Sequence, residues 1–274
     1  MNEVYPEATI AYTQVRDFYS NIMGVHYKVS VWFPPDYPEE GQKYPVIYLL
    51  DAELLFGQVS SMALQFIWAQ VMPQCLVVGI SHNVSSYDEW GNARQIDFTP
   101  PEDPDGAPPK RANDFLKFFQ QELIPYVETV FPIDSADRCL VGYSASGKFT
   151  LYTLLHDPDL FHRYFIGSAF GENILPCYLS YEARLAEKKQ ALPLRVFFSV
   201  GSLETDQVPY FHQFIEVLKR RHYQGLKINV LEITNEDHLT ALTLAFYKGL
   251  KALYKVEKGQ VHQESVQEIK GIDS

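Results

Sequence analysis

Arg138-Cys139-Leu140-Val141-Gly142-Tyr143-Ser144-Ala145-Ser146-Gly147-Lys148 is the stretch on which the reading of this chain turns. A short apolar run drives into a serine flanked by small residues, which is the pattern of a strand ending in a strained turn that opens a helix. On such a turn the serine hydroxyl projects above the sheet, and the residues two before and two after it must be small to avoid clashing. Gly142 and Ser146 occupy those places. The usual pattern has glycine at both, so Ser146 is a departure, although its side chain is small and Gly147 follows at once. Ser144 is therefore the candidate nucleophile.

Outward from this turn, continuous apolar runs mark strands buried on both faces: Val46 to Leu50, Cys75 to Ile80, Arg138 to Val141, Tyr164 to Ile166 and Val196 to Val200, with Lys227 to Ile233 as a last one. Helical patterns lie between them at Leu54 to Val71, Ala112 to Val130, Lys148 to His156, Tyr181 to Lys189, Val208 to His222 and Leu239 to Lys255. That alternation predicts an α/β architecture, a mostly parallel central sheet with helices on both faces. Alternating segments Thr9 to Val15 and His26 to Phe33, around a turn near Asn21 to Gly24, add an N-terminal antiparallel strand pair. The proline-containing segment Asn83 to Lys110 has little periodicity and reads as a long functional connection. We expect a single domain over residues 1–255 and a loosely held polar tail over 256–274.

Composition excludes several classes. The 274 residues are 46% hydrophobic and 21% charged, and no apolar run approaches the ~20 residues a membrane helix needs. The acidic start, Met1 to Glu7, lacks the basic and apolar regions of a secretion signal, which reads as cytoplasmic. Cys75, Cys139 and Cys177 are too few and too far apart for a disulfide framework or a CxxC metal site, so neither metal nor cofactor is expected. A net charge of -11 argues against nucleic acid or an anionic membrane as partner, while leaving a small-molecule substrate open. Oligomeric state is not readable.

A serine nucleophile needs a base, and in strand-to-helix sites of this kind the partners follow in the order serine, acid, histidine at the ends of later strands. His156 and His162 are too close to the turn, His212 and His222 fall within a helical pattern, and His262 is in the polar tail. His238 remains, after the last strand and before the last helix, with Asp237 beside it as a helix cap. The acid follows the strand Val196 to Val200 in Gly201-Ser202-Leu203-Glu204-Thr205-Asp206. Glu204 is favoured; Asp206 is the alternative, with a competing role as the N-cap of the helix near Val208. The oxyanion hole should combine the amide of Ala145 with that of Ala52 or Glu53, in the loop that begins at Asp51, itself read as a turn residue.

These segments together resemble the esterase family of α/β hydrolases that groups siderophore trilactone hydrolases, esterase D (S-formylglutathione hydrolase) and the mycolyltransferases. Pro45 to Asp51 with Phe56 is similar to that family's strand and oxyanion loop, with Ala52 where glycine is common. Arg94-Gln95-Ile96-Asp97-Phe98-Thr99-Pro100 resembles the Arg-x-x-Asp-x-Thr-Pro segment of the trilactone branch, Phe115 to Val127 the helix before the turn, and His238 to Tyr254 the closing histidine and helix. The resemblance implies an α/β-hydrolase fold and a serine carboxylic-ester hydrolase acting through an acyl-enzyme on a siderophore-type or other small ester. An acyltransferase of the same fold, or a binding protein with a weakened site, are the alternatives. Substrate-binding candidates are Trp90, Arg94 and Tyr143, with Tyr87 and Phe98 also set to line an apolar pocket. The competing role for Arg94 is an ion pair with Asp97 that braces the segment.

Overall fold

The computed structural model describes residues 9–106 and 108–255, together with the backbone of 266–268. Two strands, β1 (Thr13–Ser20) and β2 (Val25–Trp32), form the N-terminal antiparallel pair, closed by a turn in which the Gly24 amide donates to the Ser20 carbonyl at 2.8 Å. Gly24 takes a φ of 72°, which favours a residue without a Cβ. The first strand begins four residues later than expected from Thr9. Tyr12 has a φ of 60° and interrupts the extended backbone there, while Phe18 continues the inward face by packing on Phe118 and Tyr126.

The remaining strands are β3 (Tyr44–Leu49), β4 (Leu76–His82), β5 (Ile133–Tyr143), β6 (Arg163–Gly167), β7 (Arg195–Gly201), β8 (Lys227–Ile233) and the three-residue β9 (Val266–Glu268). The sheet order is β1-β2-β4-β3-β5-β6-β7-β8-β9, parallel from β4 onward. The polar tail and the first eight residues otherwise lie outside the described residues. Among the described residues no helix is long and apolar enough to cross a membrane.

The central parallel strands β3, β4, β6 and β7 are apolar on both sides because helices cover both faces. In β3, Val46 and Tyr48 point into one cluster and Ile47 and Leu49 into the other. Helices α1 (Ala52–Trp68) and α8 (Ala241–Tyr254) cover the second face. The first face carries α3 (Ala112–Phe118), which passes through a π-helical turn at Phe119–Leu123 into α4 (Ile124–Val130), and also α5 (Ala145–His156), α6 (Leu175–Lys188) and α7 (Val208–Arg221).

Three helices start earlier than their apolar periodicity suggests: α1 at Ala52, α5 at Ala145 and α6 at Leu175. For α6, Pro176 occupies the first turn, where its missing N–H costs nothing. The segment Asn83 to Lys110 is not a continuous irregular connection. It contains α2 (Tyr87–Phe98), opened by Ser86, whose hydroxyl accepts from the Glu89 amide at 3.2 Å. Only Asp97 and Phe98 of this helix are buried. It has no apolar stripe for a periodicity reading to find, and polar contacts hold it instead.

Candidate active site

The loops that leave the C-terminal ends of β3, β5, β7 and β8 converge on one end of the sheet. Ser144 joins β5 to α5 with φ 61° and ψ -123°, a strained conformation held by its amide donating to the Gly167 carbonyl at 2.8 Å. The tightness is measurable: a Cβ on Gly142 would lie 2.3 Å from the Ser146 carbonyl oxygen, and one on Gly147 would lie 2.6 Å from the Gly167 carbonyl oxygen. Ser146 itself is fully buried, and its hydroxyl accepts from the Tyr143 amide at 2.9 Å.

His238 follows β8, in a turn that Asp237 holds by accepting from the Leu239 and Thr240 amides, both at 2.9 Å. His238 Nδ1 lies 2.5 Å from Glu204 Oε2. Glu204 is buried and also accepts from the Gly201 amide, Ser168 Oγ and Gln207 Nε2, each at 2.8 Å. Burial alone raises a carboxyl pKa. Here His238, Gly201 and Ser168 outweigh it and hold Glu204 below the ordinary value, ionised beside the imidazole.

Asp206, the alternative acid, is two residues beyond and does not meet the histidine. It lies on the wall of a hollow shared with Asp105, Lys148 and Glu172. Nor is it the N-cap of α7. Gln207 is at that position, without a side-chain cap, and the Val208 amide donates to the Glu204 carbonyl instead.

Tyr143 ties His238 to the turn. Its ring lies 5.4 Å from the His238 ring, and its hydroxyl donates to the His238 carbonyl at 2.8 Å. The phenol expected at the substrate is thus only 3% exposed and engaged in bracing.

Across the elbow, Asp51 sits in the left-handed region at φ 52° and ψ 41°, and its carbonyl accepts from the Leu54 and Leu55 amides at 3.1 Å. Ala52 and Glu53 are the first two residues of α1, and Ala145 is the first of α5. First-turn amides have no acceptor within their own helix and carry the positive end of its dipole. These three amides are therefore the candidate donors to a developing negative oxygen.

The carboxylate of Asp51 does more than shape a turn. Arg94 Nε and Nη2 grip it at 2.8 and 2.6 Å, with the guanidinium 4.8 Å above the Trp90 ring. The Arg94–Asp97 pair does not form. Asp97 instead accepts from Tyr27 Oη at 2.6 Å and lies 3.2 Å from His82 Nε2. His82 Nδ1 is 3.5 Å from Glu53 Oε1, and the His82 amide also donates to that carboxylate. Burial lowers the His82 pKa, but Asp97 and Glu53 prevail and push it up to about 9.

Trp90 and Tyr87 line a hollow of about 270 Å³ with Glu53, Leu54, Val84, Ser85 and Ser86. Phe98 does not. It is core, packed on Phe115 and His82. Sequence reasoning did not find Ser168, Gln207 or His82, because nothing in their neighbourhoods departs from ordinary strand or loop composition. Among the described residues no group of three or more His, Cys, Asp or Glu side chains is arranged to hold a metal ion.

Comparison with known proteins places the chain among esterases. The chain is 29% identical over 266 residues to the ferri-bacillibactin esterase BesA of Bacillus subtilis, covering 89% of this chain and 90% of that one. It is 28% identical to the siderophore enterobactin esterase of Emericella nidulans, covering 83% and 89%. Among solved structures, the BES protein from Bacillus cereus superposes with a TM-score of 0.78 at 25% identity, over 93% of this chain and all of that one. The siderophore hydrolase EstA from Aspergillus nidulans shares the fold, with a TM-score of 0.76 at 20% identity, over 90% and 97%. A family model described as "Putative esterase" matches residues 20–229, which takes in Asp51 to Glu53, the turn at Ser144 and Glu204 and stops short of His238, so the chain belongs to that esterase family of the α/β hydrolases.

Proposed function

We propose that this chain hydrolyses carboxylic esters through an acyl-enzyme on Ser144, with His238 as base and Glu204 as its orienting acid. The observation that carries the reading is the 2.5 Å contact between His238 Nδ1 and the buried, ionised Glu204. That contact leaves Nε2 as the basic nitrogen and stabilises the imidazolium that forms. Nε2 takes the proton of Ser144 Oγ as the oxygen bonds to the ester carbonyl carbon. The amides of Ala145 and of Ala52 or Glu53 hold the oxyanion. Collapse breaks the bond to the alcohol oxygen, which leaves with the proton from His238. Water then repeats the sequence on the acyl-enzyme, with His238 again the base, and frees the acid.

A site without turnover finds little support in its two motivating features, since Glu204 meets the histidine and Ser146 fits the elbow. For the substrate, the names of the relatives support a siderophore-type ester, with the hollow at Trp90 as its apolar contact. Four cations near this segment already have partners: Arg94 meets Asp51, Lys148 the Asp103 carboxylate, Lys110 the Asp103 carbonyl, and Arg111 the Met23 and Ile22 carbonyls. The reading is therefore a siderophore-type or other small ester held at the Trp90 hollow by apolar contact. The test is covalent labelling by a fluorophosphonate, which requires an activated serine. Wild type should be labelled at Ser144, Ser144→Ala should not, and His238→Ala should lose on the order of 10³-fold in p-nitrophenyl butyrate turnover. An unlabelled wild type would end the proposal.

A further inference from the structure

Ser146 stands where glycine is usual, and its hydroxyl makes contacts that glycine has no atom to make. Oγ accepts from the Tyr143 amide at 2.9 Å and lies 2.6 Å from Asp51 Oδ2 and 2.9 Å from the Tyr143 carbonyl oxygen. A hydroxyl has one proton. The nearer, charged carboxylate is the stronger acceptor, so the proton goes to Asp51. Asp51 is 2% exposed, and Arg94 occupies its other bonding positions in a two-pronged pair.

The result is a continuous link across the site: from the backbone beside Ser144, through Ser146 and Asp51, to Arg94 on α2. Asp51 is also the residue immediately before Ala52 and Glu53. The two sides of the proposed oxyanion hole, one on α5 and one on α1, are thus joined by a single buried hydroxyl.

We propose that Ser146 is a positioning residue that holds the oxyanion loop in register with the nucleophile elbow. This rests on the acyl-enzyme reading above. Ser146 touches neither substrate nor reacting atoms; it acts through Asp51. An oxyanion hole works when its donors lie within a narrow distance of the developing charge, and a ~1 Å misplacement can cost on the order of 10²-fold. Losing the link should therefore lower turnover more than binding.

The experiment compares wild type, Ser146→Ala and Ser146→Gly in p-nitrophenyl butyrate hydrolysis and in the rate of fluorophosphonate labelling, with thermal melting as the control for folding. Both variants remove the hydroxyl, and the second restores the family's usual residue. Loss of the link should lower kcat about 10- to 100-fold with KM within about threefold, and labelling should slow in proportion, because the phosphonyl oxygen uses the same hole. Asp51→Asn supplies the partner: combined with Ser146→Ala it should cost little more than the worse single change.

The proposal is overturned if Ser146→Ala and Ser146→Gly label within about twofold of wild type, if the single losses multiply, or if melting falls while kcat holds. Failure of the acyl-enzyme reading looks different. There, wild type itself would not be labelled, and the link would fall with it.

Discussion

Replacing Glu204 by glutamine is a sharp test of the acid, because the surrounding donors dictate how the amide must lie. Oε1 of Glu204 receives the Gly201 amide and Ser168 Oγ, while Oε2 receives His238 Nδ1 and Gln207 Nε2. The serine hydroxyl can rotate, and the Gln207 amide can flip at the cost of the 3.2 Å bond its Oε1 accepts from the Phe170 amide, but the Gly201 N–H is fixed in the backbone. The new side-chain oxygen must face it, which turns the new NH₂ toward His238. The imidazole then accepts at Nδ1 and carries its proton on Nε2, the tautomer that cannot take the Ser144 proton. A comparable wrong-tautomer substitution in a serine triad costs about 10⁴-fold in kcat, equivalent to ~5.5 kcal/mol of barrier. We expect 10³- to 10⁴-fold here, with binding little changed. Leaving buried donors facing an amide should also cost about 1–3 kcal/mol of stability. The assay is p-nitrophenyl butyrate turnover beside urea unfolding, with Asp206→Asn as the reference. If Glu204→Gln kept more than about a tenth of wild-type kcat, or if Asp206→Asn cost more, the tautomer argument would be wrong.

His82 predicts a pH dependence of stability. Its pKa is raised in the folded protein to about 9 by Asp97 and Glu53 against the effect of burial. The stabilisation is therefore full below the unfolded value of about 6.5, declines above it, and is gone once pH passes about 9, a change of ~3 kcal/mol. Urea midpoints at about pH 6 and pH 9.5 should differ in wild type and much less in His82→Gln; equal slopes would refute the assignment. At the Trp90 hollow, Trp90→Ala should reorder the preference among aryl and alkyl esters while Ser144 still labels at a similar rate. Arg94→Ala should behave differently, slowing labelling about tenfold or more because its guanidinium holds Asp51; unchanged labelling would detach Arg94 from the oxyanion loop.

The parallel sheet, the elbow and the closing histidine were legible in the sequence because each depends on short-range rules. Strands buried on both faces must be largely apolar, as Cys75 to Ile80 is and as Val196 to Val200 is apart from Ser199. The turn at Ser144 demands small neighbours, and His238 is the histidine placed between a late strand, β8, and the helix that follows it. The tertiary structure decided what depends on side-chain direction and on partners distant in the chain. Glu204 and Asp206 share one loop, and only the fold of that loop, pinned by Gly201, Ser168 and Gln207, turns one of them toward His238. Helix α2 has no apolar stripe, so its polar contacts, invisible to periodicity, hold it in place. Arg94 lies three residues from Asp97 yet pairs with Asp51, 43 positions away, while β4 brings His82 and β2 brings Tyr27 to the Asp97 carboxylate. Local pattern specifies which elements form; which charges meet is settled only when the packed sheet has set their distances.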